Sequence, residues 1–253
     1  MPLSTRSYFA LGAIAAVGGL AAANLAGFGQ GNANASEKLD KKAVEEIVRE
    51  YLLENPEVIF QAVERYTERK EAQTLAAMES EAKANLPTLL DGGLGHSVGA
   101  SIDDAELVIV EFFDYNCGAC RQATDFVFEL LEKEEGVRLT FLELPVVYEQ
   151  SYEVALASLS LAGTEDFLPF HQALMSADNV VDISQIDMIA KSAGVDSKAI
   201  MATISNEKSR ASLEESLSLS MQIAQAIGIN GTPGFIVASP DGEVVKVVPG
   251  FNP

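Results

Sequence analysis

The chain has 253 residues, is 48% hydrophobic, and carries a formal net charge of −20 from 17 Lys+Arg and 37 Asp+Glu. That length holds one sizeable domain with an appendage, and that charge excludes a phosphate-backbone partner such as nucleic acid and argues against an anionic membrane surface. Only two cysteines and two histidines are present, so there is no disulfide framework and no recognisable zinc-ligand spacing.

Residues 1–35 read as an export signal. Arg6 is the sole charge, an apolar Ala- and Gly-rich run extends from Tyr8 to Phe28, and Ala33-Asn34-Ala35 fits the small-x-small rule. Cleavage is expected after Ala35. An uncleaved anchor is the competing reading, because the run approaches spanning length; its glycines and Asn24 count against it. Export would place the mature chain in an oxidising compartment, with all of its thiol chemistry at one spot.

Residues 36–86 read as a helical extension. Val44, Ile47, Val48, Tyr51 and Leu52 share one helical face. Asn55-Pro56 ends that helix and starts another, with Asn as N-cap and Pro as the first helical residue. The second helix is expected to run towards Asn85 and to stop at Leu86-Pro87. Its middle, Thr67 to Thr74, is polar all round. Two expectations follow: self-association through these helices, or folding back over the following domain. Residues 87–104 read as a Gly-rich linker, with His96 as a surface loop histidine.

Leu107 to Arg121 (LVIVEFFDYNCGACR) is the stretch the rest serves. Leu107 to Phe113 reads as a strand buried on both faces. Asp114, Tyr115 and Asn116 break the run, Cys117-Gly118-Ala119-Cys120 follows, and Ala123, Phe126, Val127, Leu130 and Leu131 then fall at helical spacing. A CxxC at the start of a helix is where a thiolate at Cys117 can accept unpartnered backbone N–H groups. A free cysteine, with a pKa near ~8.5, is only about 3% thiolate at neutral pH, whereas such sites reach roughly 3.5–7.5. A three-unit shift needs about 4 kcal/mol, more than the ~2 at most that a helix dipole gives. Direct hydrogen bonds to sulfur must carry the larger share. Cys120, one turn on, faces inward as the resolving thiol. A structural disulfide would gain little from so short a loop.

Further on, Val137 to Leu144 reads as a strand ended by Pro145, and Ser151 to Ala202 as several short helices, with His171 a structural histidine beside one of them. A long amphipathic helix is expected from about Asn206 to Ile227. Gly228 to Gly234 forms a turn cluster into a strand, Phe235 to Ala238, and Pro240-Asp241-Gly242 a tight turn into a last strand, Glu243 to Val248.

Strand, CxxC helix, strand, helical block, helix, Thr-Pro and hairpin in that order resemble a thioredoxin fold with an inserted helical subdomain, as in the DsbA family of exported thiol–disulfide oxidoreductases. The fold class is α/β. EFFDYNCGAC, FLPFHQALM (Phe167 to Met175) and GINGTPGFIV (Gly228 to Val237) carry the resemblance. It implies a DsbA-like domain over 105–253 with its insertion at about 148–205. It further implies a cis Thr232-Pro233 bond lying against Cys117, and Glu111 as a buried carboxylate that accepts the proton of Cys120. An ordinary carboxylate at a strand end is the competing reading of Glu111. The segment Ile47 to Tyr66, with YLLENPEVIFQAVERY inside it, is similar to the N-terminal helices of the ScsC-like branch, associated with copper tolerance and with oligomers built through these helices. Two features depart from the family: Gly118-Ala119 lacks the histidine often found between the cysteines, and Pro253 ends the chain where a thioredoxin fold normally adds a helix. Part of one sheet face is therefore expected bare, and completeness at that end stays open.

The function expected from these residues is exported, periplasmic disulfide exchange or isomerisation on protein substrates. Cys117 and Cys120 would carry it, supported by Thr232, Pro233 and Glu111, with an exported or membrane redox partner and no cofactor. Two rival readings stay open: Cu(I) binding by the same dithiol, and an idle chaperone or scaffold.

Overall fold

The structure, a computed structural model, describes residues 40–91 and 93–251. The export segment and its cleavage point lie outside them. The chain divides into two compact units, one ending at Val58 and one running from Ile59. No described helix is long and apolar enough to cross a membrane.

In the first unit α1 spans Lys41–Glu54, capped by Asp40, whose carboxylate accepts from Lys42 N at 3.2 Å. Val44, Ile47, Val48 and Tyr51 are exposed.

α2 spans Glu57–Leu90, all but its first two residues in the second unit, and so runs straight through Pro87, not stopping there as the sequence led one to expect. A proline inside a helix costs ~3 kcal/mol. Leu86 and Leu89 on either side are buried, worth about 1.5–3 kcal/mol each, and together they outweigh it. The helix changes character along its length. Ile59, Phe60, Val63 and Tyr66 are exposed, whereas Met78, Ala82, Leu86 and Leu89 join a core with Val108, Val110, Phe112 and Ile236. Only its C-terminal half packs on the sheet.

Five strands form one sheet in the order β1-β3-β2-β4-β5: His96–Gly99, Val137–Glu143, Leu107–Phe113, Gly234–Ala238 and Val245–Val248. β2 and β3 are parallel, joined across α3 (Gly118–Lys133), and the other pairs are antiparallel. β1 was unforeseen: it lies within the supposed linker and pairs His96 with Phe141. A side chain at Gly95 would place its Cβ 2.0 Å from the Phe141 carbonyl oxygen, so only glycine lets this strand approach. His96 is accordingly not a surface residue. It is buried, stacks on Phe167 at 4.1 Å and accepts a hydrogen bond from Gly163 N at 3.0 Å.

Between β3 and β4 come α4 (Ser151–Leu159), α5 (Phe167–Met175), a 3-10 turn over Ile183–Gln185, α6 (Ile186–Ser192), α7 (Ser197–Ser205) and α8 (Glu207–Ile227). Asn206 caps α8 by accepting from Ser209 N at 3.0 Å. Gly228, at φ 91°, ends it in the left-handed conformation that costs glycine least. The last hairpin is looser than expected: β4 stops at Ala238, and β5 begins only at Val245.

The alternation of β2 sends Val108, Val110 and Phe112 to the face covered by α2 and α8. Ile109 and Phe113 go to the face shared with α3 and α5. That second face carries an apolar groove beside α3, about 780 Å³, lined by Ile109, Phe126, Leu130, Val237, Val248 and Phe251. α2 lies on the opposite side of the sheet from this groove.

Candidate active site

Cys117 sits where β2 turns into α3, and the turn itself is held from several sides. Asp114 accepts from Asn116 N at 2.8 Å and from Val147 N at 2.9 Å. Asn116 is bound on both sides of its amide to Val181, receiving N–H at 2.7 Å and donating at 3.0 Å. Arg121 Nε donates to the Tyr115 carbonyl at 2.9 Å. The residues that break the apolar run therefore do not form a loose loop. They fix the direction in which Cys117 leaves the sheet.

Cys117 is the N-cap of α3, and its sulfur accepts from Cys120 N at 3.4 Å. As a thiol it also donates to the Thr232 carbonyl at 3.1 Å. That bond brings the Thr232-Pro233 turn, whose peptide bond is cis, against Cys117 across 115 residues of sequence. Thr232 Oγ1 is buried with no partner of its own, a donor available to a thiolate.

The two thiols are electrostatically unequal. The Cys117 pKa is lowered to about 5, first by a hydrogen bond from the Cys120 thiol, then by Thr232 and the N–H groups of Cys120 and Ala119, with burial opposing. Cys120, fully buried, is pushed far up, first by its bond to Cys117 and then by burial. The backbone N–H groups anticipated from the sequence contribute, but the largest part comes from Cys120 itself, which sequence reasoning had assigned to resolution alone.

Glu111, on β2, is 2% exposed, and its carboxyl is pushed up to about 8 by burial and then by the charge of Cys117. That electrostatic coupling links it to the dithiol. Thus Cys117, Cys120 and Thr232 converge in direct contact, Pro233 follows Thr232 in the turn that faces Cys117, and Glu111 lies near enough for the charge of Cys117 to help raise its pKa.

Beneath the turn lies a buried polar cluster that sequence reasoning missed. Tyr115 Oη meets Ser158 Oγ at 2.5 Å and His171 Nδ1 at 3.0 Å. Burial lowers the His171 pKa to about 3, so it is neutral, and its expected structural place is where it sits. Glu143, at the end of β3, is 3% exposed, and its Oε1 is buried without a partner. A glutamate inside the apolar run VRLTFLEL was the available signal.

A parallel-centred sheet, a CxxC at a helix N-terminus and a facing cis-proline turn define a thioredoxin-type dithiol protein. The chain belongs to the thioredoxin family: the family model described as Thioredoxin matches residues 94–246. A second model, Copper resistance protein ScsC N-terminal domain, matches 40–73. A thioredoxin-like oxidoreductase from Silicibacter pomeroyi DSS-3 is 30% identical, with TM-score 0.54, covering 65% of this chain and 88% of that one. The catalytic domain of Proteus mirabilis ScsC is 25% identical, with TM-score 0.57 over 69% and 91%. BcfH from Salmonella enterica Typhimurium is 25% identical, with TM-score 0.69 over 83% and 90%. No curated protein matches. The expected α/β fold and family stand, and the chain is a thiol–disulfide oxidoreductase in the general sense.

Proposed function

We propose that the mature chain is an exported, periplasmic oxidoreductase that exchanges disulfides in protein substrates through Cys117 and Cys120. The observation that carries this is the inequality of the thiols: one at the helix N-cap with its pKa near 5, the other buried and held protonated.

The Cys117 thiolate attacks one sulfur of a substrate disulfide. That S–S bond breaks, a Cys117 mixed disulfide forms, and a substrate thiolate leaves. Cys120 then gives its proton to Glu111 and attacks Cys117 Sγ. The second substrate thiolate departs, leaving a Cys117–Cys120 disulfide and a substrate reduced by two electrons. Run backwards, the same steps oxidise a substrate. In isomerisation the substrate's own thiol resolves the mixed disulfide. Glu111 is timed for its part, because the charge of Cys117 helps hold it protonated. Mixed-disulfide formation removes that charge and lets the carboxyl release its proton to solvent, so that more of it is the carboxylate that can accept the proton of Cys120 at the next step. Thr232 and Pro233 hold the substrate-facing side of the site. An exported or membrane redox partner returns the dithiol to its starting state.

Residues 36–86 act as an extension through which copies associate. The exposed Val44, Ile47, Val48 and Tyr51, and separately Ile59, Phe60 and Val63, support this, since helices gain stability mainly by packing an apolar face. The match to a copper resistance N-terminal domain favours a second reading, Cu(I) held by the two thiols.

Insulin reduction by dithiothreitol, followed with the mature chain, separates these readings. The expected result is acceleration that one equivalent of Cu(I) suppresses, from a species heavier than one chain. Tight Cu(I) binding without acceleration identifies a metal carrier, and a monomer at micromolar concentration removes the association.

A further inference from the structure

The turn that faces Cys117 is closed by a contact between its own two ends. Ile229 lies just past the Gly228 cap of α8, and Gly234 opens β4, with only Asn230, Gly231, Thr232 and Pro233 between them. A Cβ on Gly234 would stand 2.5 Å from Ile229 Cγ2, with Cδ1 and Cγ1 of the same side chain next at 3.5 Å. Carbon atoms in ordinary contact are about 3.5–4.0 Å apart. Gly234 lies in a strand without a positive φ, so its backbone does not demand glycine. The Ile229 methyl does.

Neither end of this contact gives way easily. Ile229 is 2% exposed and shares a core with Met78, Ile227 and Ile236. Its N–H donates to the Ala224 carbonyl at 2.8 Å, which ties it to the end of α8. A branched side chain is stiff at χ1, and Cγ2 is bonded to Cβ itself, not to a flexible end. Gly234 is paired with Phe112 of β2. The residues between are softer. Asn230 and Gly231 are exposed, and a Cβ on Gly231 would meet nothing within 4 Å. A side chain added at Gly234 therefore shifts the turn, by about 1 Å, and leaves helix and sheet in place.

That turn carries the two Thr232 groups that face the nucleophile. The carbonyl accepts from the Cys117 thiol at 3.1 Å, and Oγ1 is buried without a partner. We propose that Ile229 and Gly234 are positioning residues for Cys117: the Ile229 side chain, seated on the bare backbone of Gly234, clamps the Thr232-Pro233 turn against the nucleophile. A displaced turn takes both Thr232 groups away from the sulfur. The thiol then loses a bond in which S–H is a weak donor. The thiolate loses the hydroxyl as a charge-assisted donor, roughly twice as strong as a neutral one. Displacement therefore costs the thiolate more. This inference rests on the reading of Cys117 as the nucleophile.

The test is the pH titration of the Cys117 thiolate by its ultraviolet absorbance, with urea unfolding alongside. The proteins are the wild type, Gly234→Ala, Ile229→Ala and the double variant Gly234→Ala/Ile229→Ala. Gly234→Ala is expected to raise the midpoint by about one pH unit, a tenfold loss of thiolate relative to thiol. Ile229→Ala empties the seat and is expected to raise it by less. Truncating Ile229 also removes all three atoms that the new Cβ would meet, so the double variant is expected to regain the wild-type midpoint although it has lost core packing. An unmoved midpoint in Gly234→Ala would overturn the proposal, leaving a packing contact that urea unfolding alone detects. Equal displacement in Gly234→Ala and in the double variant would overturn it too, because the shift would not then pass through Ile229. Should Gly234→Ala fail to fold, Ile229→Ala against the double variant decides: a displaced midpoint restored by the second substitution supports the clamp, and equal midpoints overturn it. Failure of the catalytic reading looks different: the wild type itself would not reduce insulin, whatever the variants do to the titration.

Discussion

Glu111→Gln is expected to stabilise the reduced protein at pH 8, by up to roughly 5 kcal/mol. The carboxyl moves from an ordinary 4.5 in the unfolded chain to about 8 in the folded one. Between those values the unfolded chain has released a proton that the folded chain retains, so wild-type stability falls as pH rises. The contribution is fully present below pH 4.5 and is lost by pH 8. Gln has no proton to lose, and its stability curve should lack that slope. Urea unfolding of both proteins at pH 4.5, 6 and 8, kept reduced, measures the difference. It should grow steadily with pH; curves that stay parallel would mean that Glu111 is not the buried acid described. The gain has a functional cost. Without the carboxyl, Cys120 loses its proton acceptor, and the mixed disulfide should resolve more slowly.

The second large effect is in thiol reactivity. With its pKa near 5, Cys117 should be about 99% thiolate at pH 7, against roughly 3% for a free cysteine. Alkylation of the reduced protein should therefore rise to half its plateau near pH 5 and stay flat above pH 7. Cys120 should remain unlabelled through that range, since burial and its bond to Cys117 hold it protonated. Peptide mapping after brief iodoacetamide treatment at pH 6 reads the ratio directly. Equal labelling would contradict the asymmetry on which the exchange chemistry depends.

The sequence showed the parts of the site that are local and hid those that are not. A buried strand, a turn and a helical face around CGAC are contiguous, and the periods of 2 and 3.6 mark the change between them. The Thr-Pro turn is 115 residues away, and only its resemblance to a family loop placed it against Cys117. The buried cluster had no such help: Tyr115 reaches Ser158 across 43 residues and His171 across 56. Tyr115 looked like one of three turn residues. β1 was concealed by its glycines, which read as linker although Gly95 is what allows the strand to approach Phe141. Pro87 misled for a related reason, because a local penalty was outweighed by burial of Leu86 and Leu89 that no local pattern shows. The same burial bears on the design of a shortened chain. Removing residues up to Asn85 would strip Met78 and Ala82 from the sheet core, so a deletion meant to test association alone must end before Leu75.

The central claim is that Cys117 forms the covalent bond to substrate and Cys120 breaks it. Trapping tests it most directly: Cys120→Ser and Cys117→Ser are each incubated with scrambled, disulfide-containing protein, and adducts are identified by non-reducing mass spectrometry. Cys120→Ser is expected to accumulate mixed disulfides through Cys117 that dithiothreitol releases, and Cys117→Ser to accumulate none. Adducts through Cys120 in the Cys117→Ser protein, at a rate comparable to those through Cys117, would contradict the assignment.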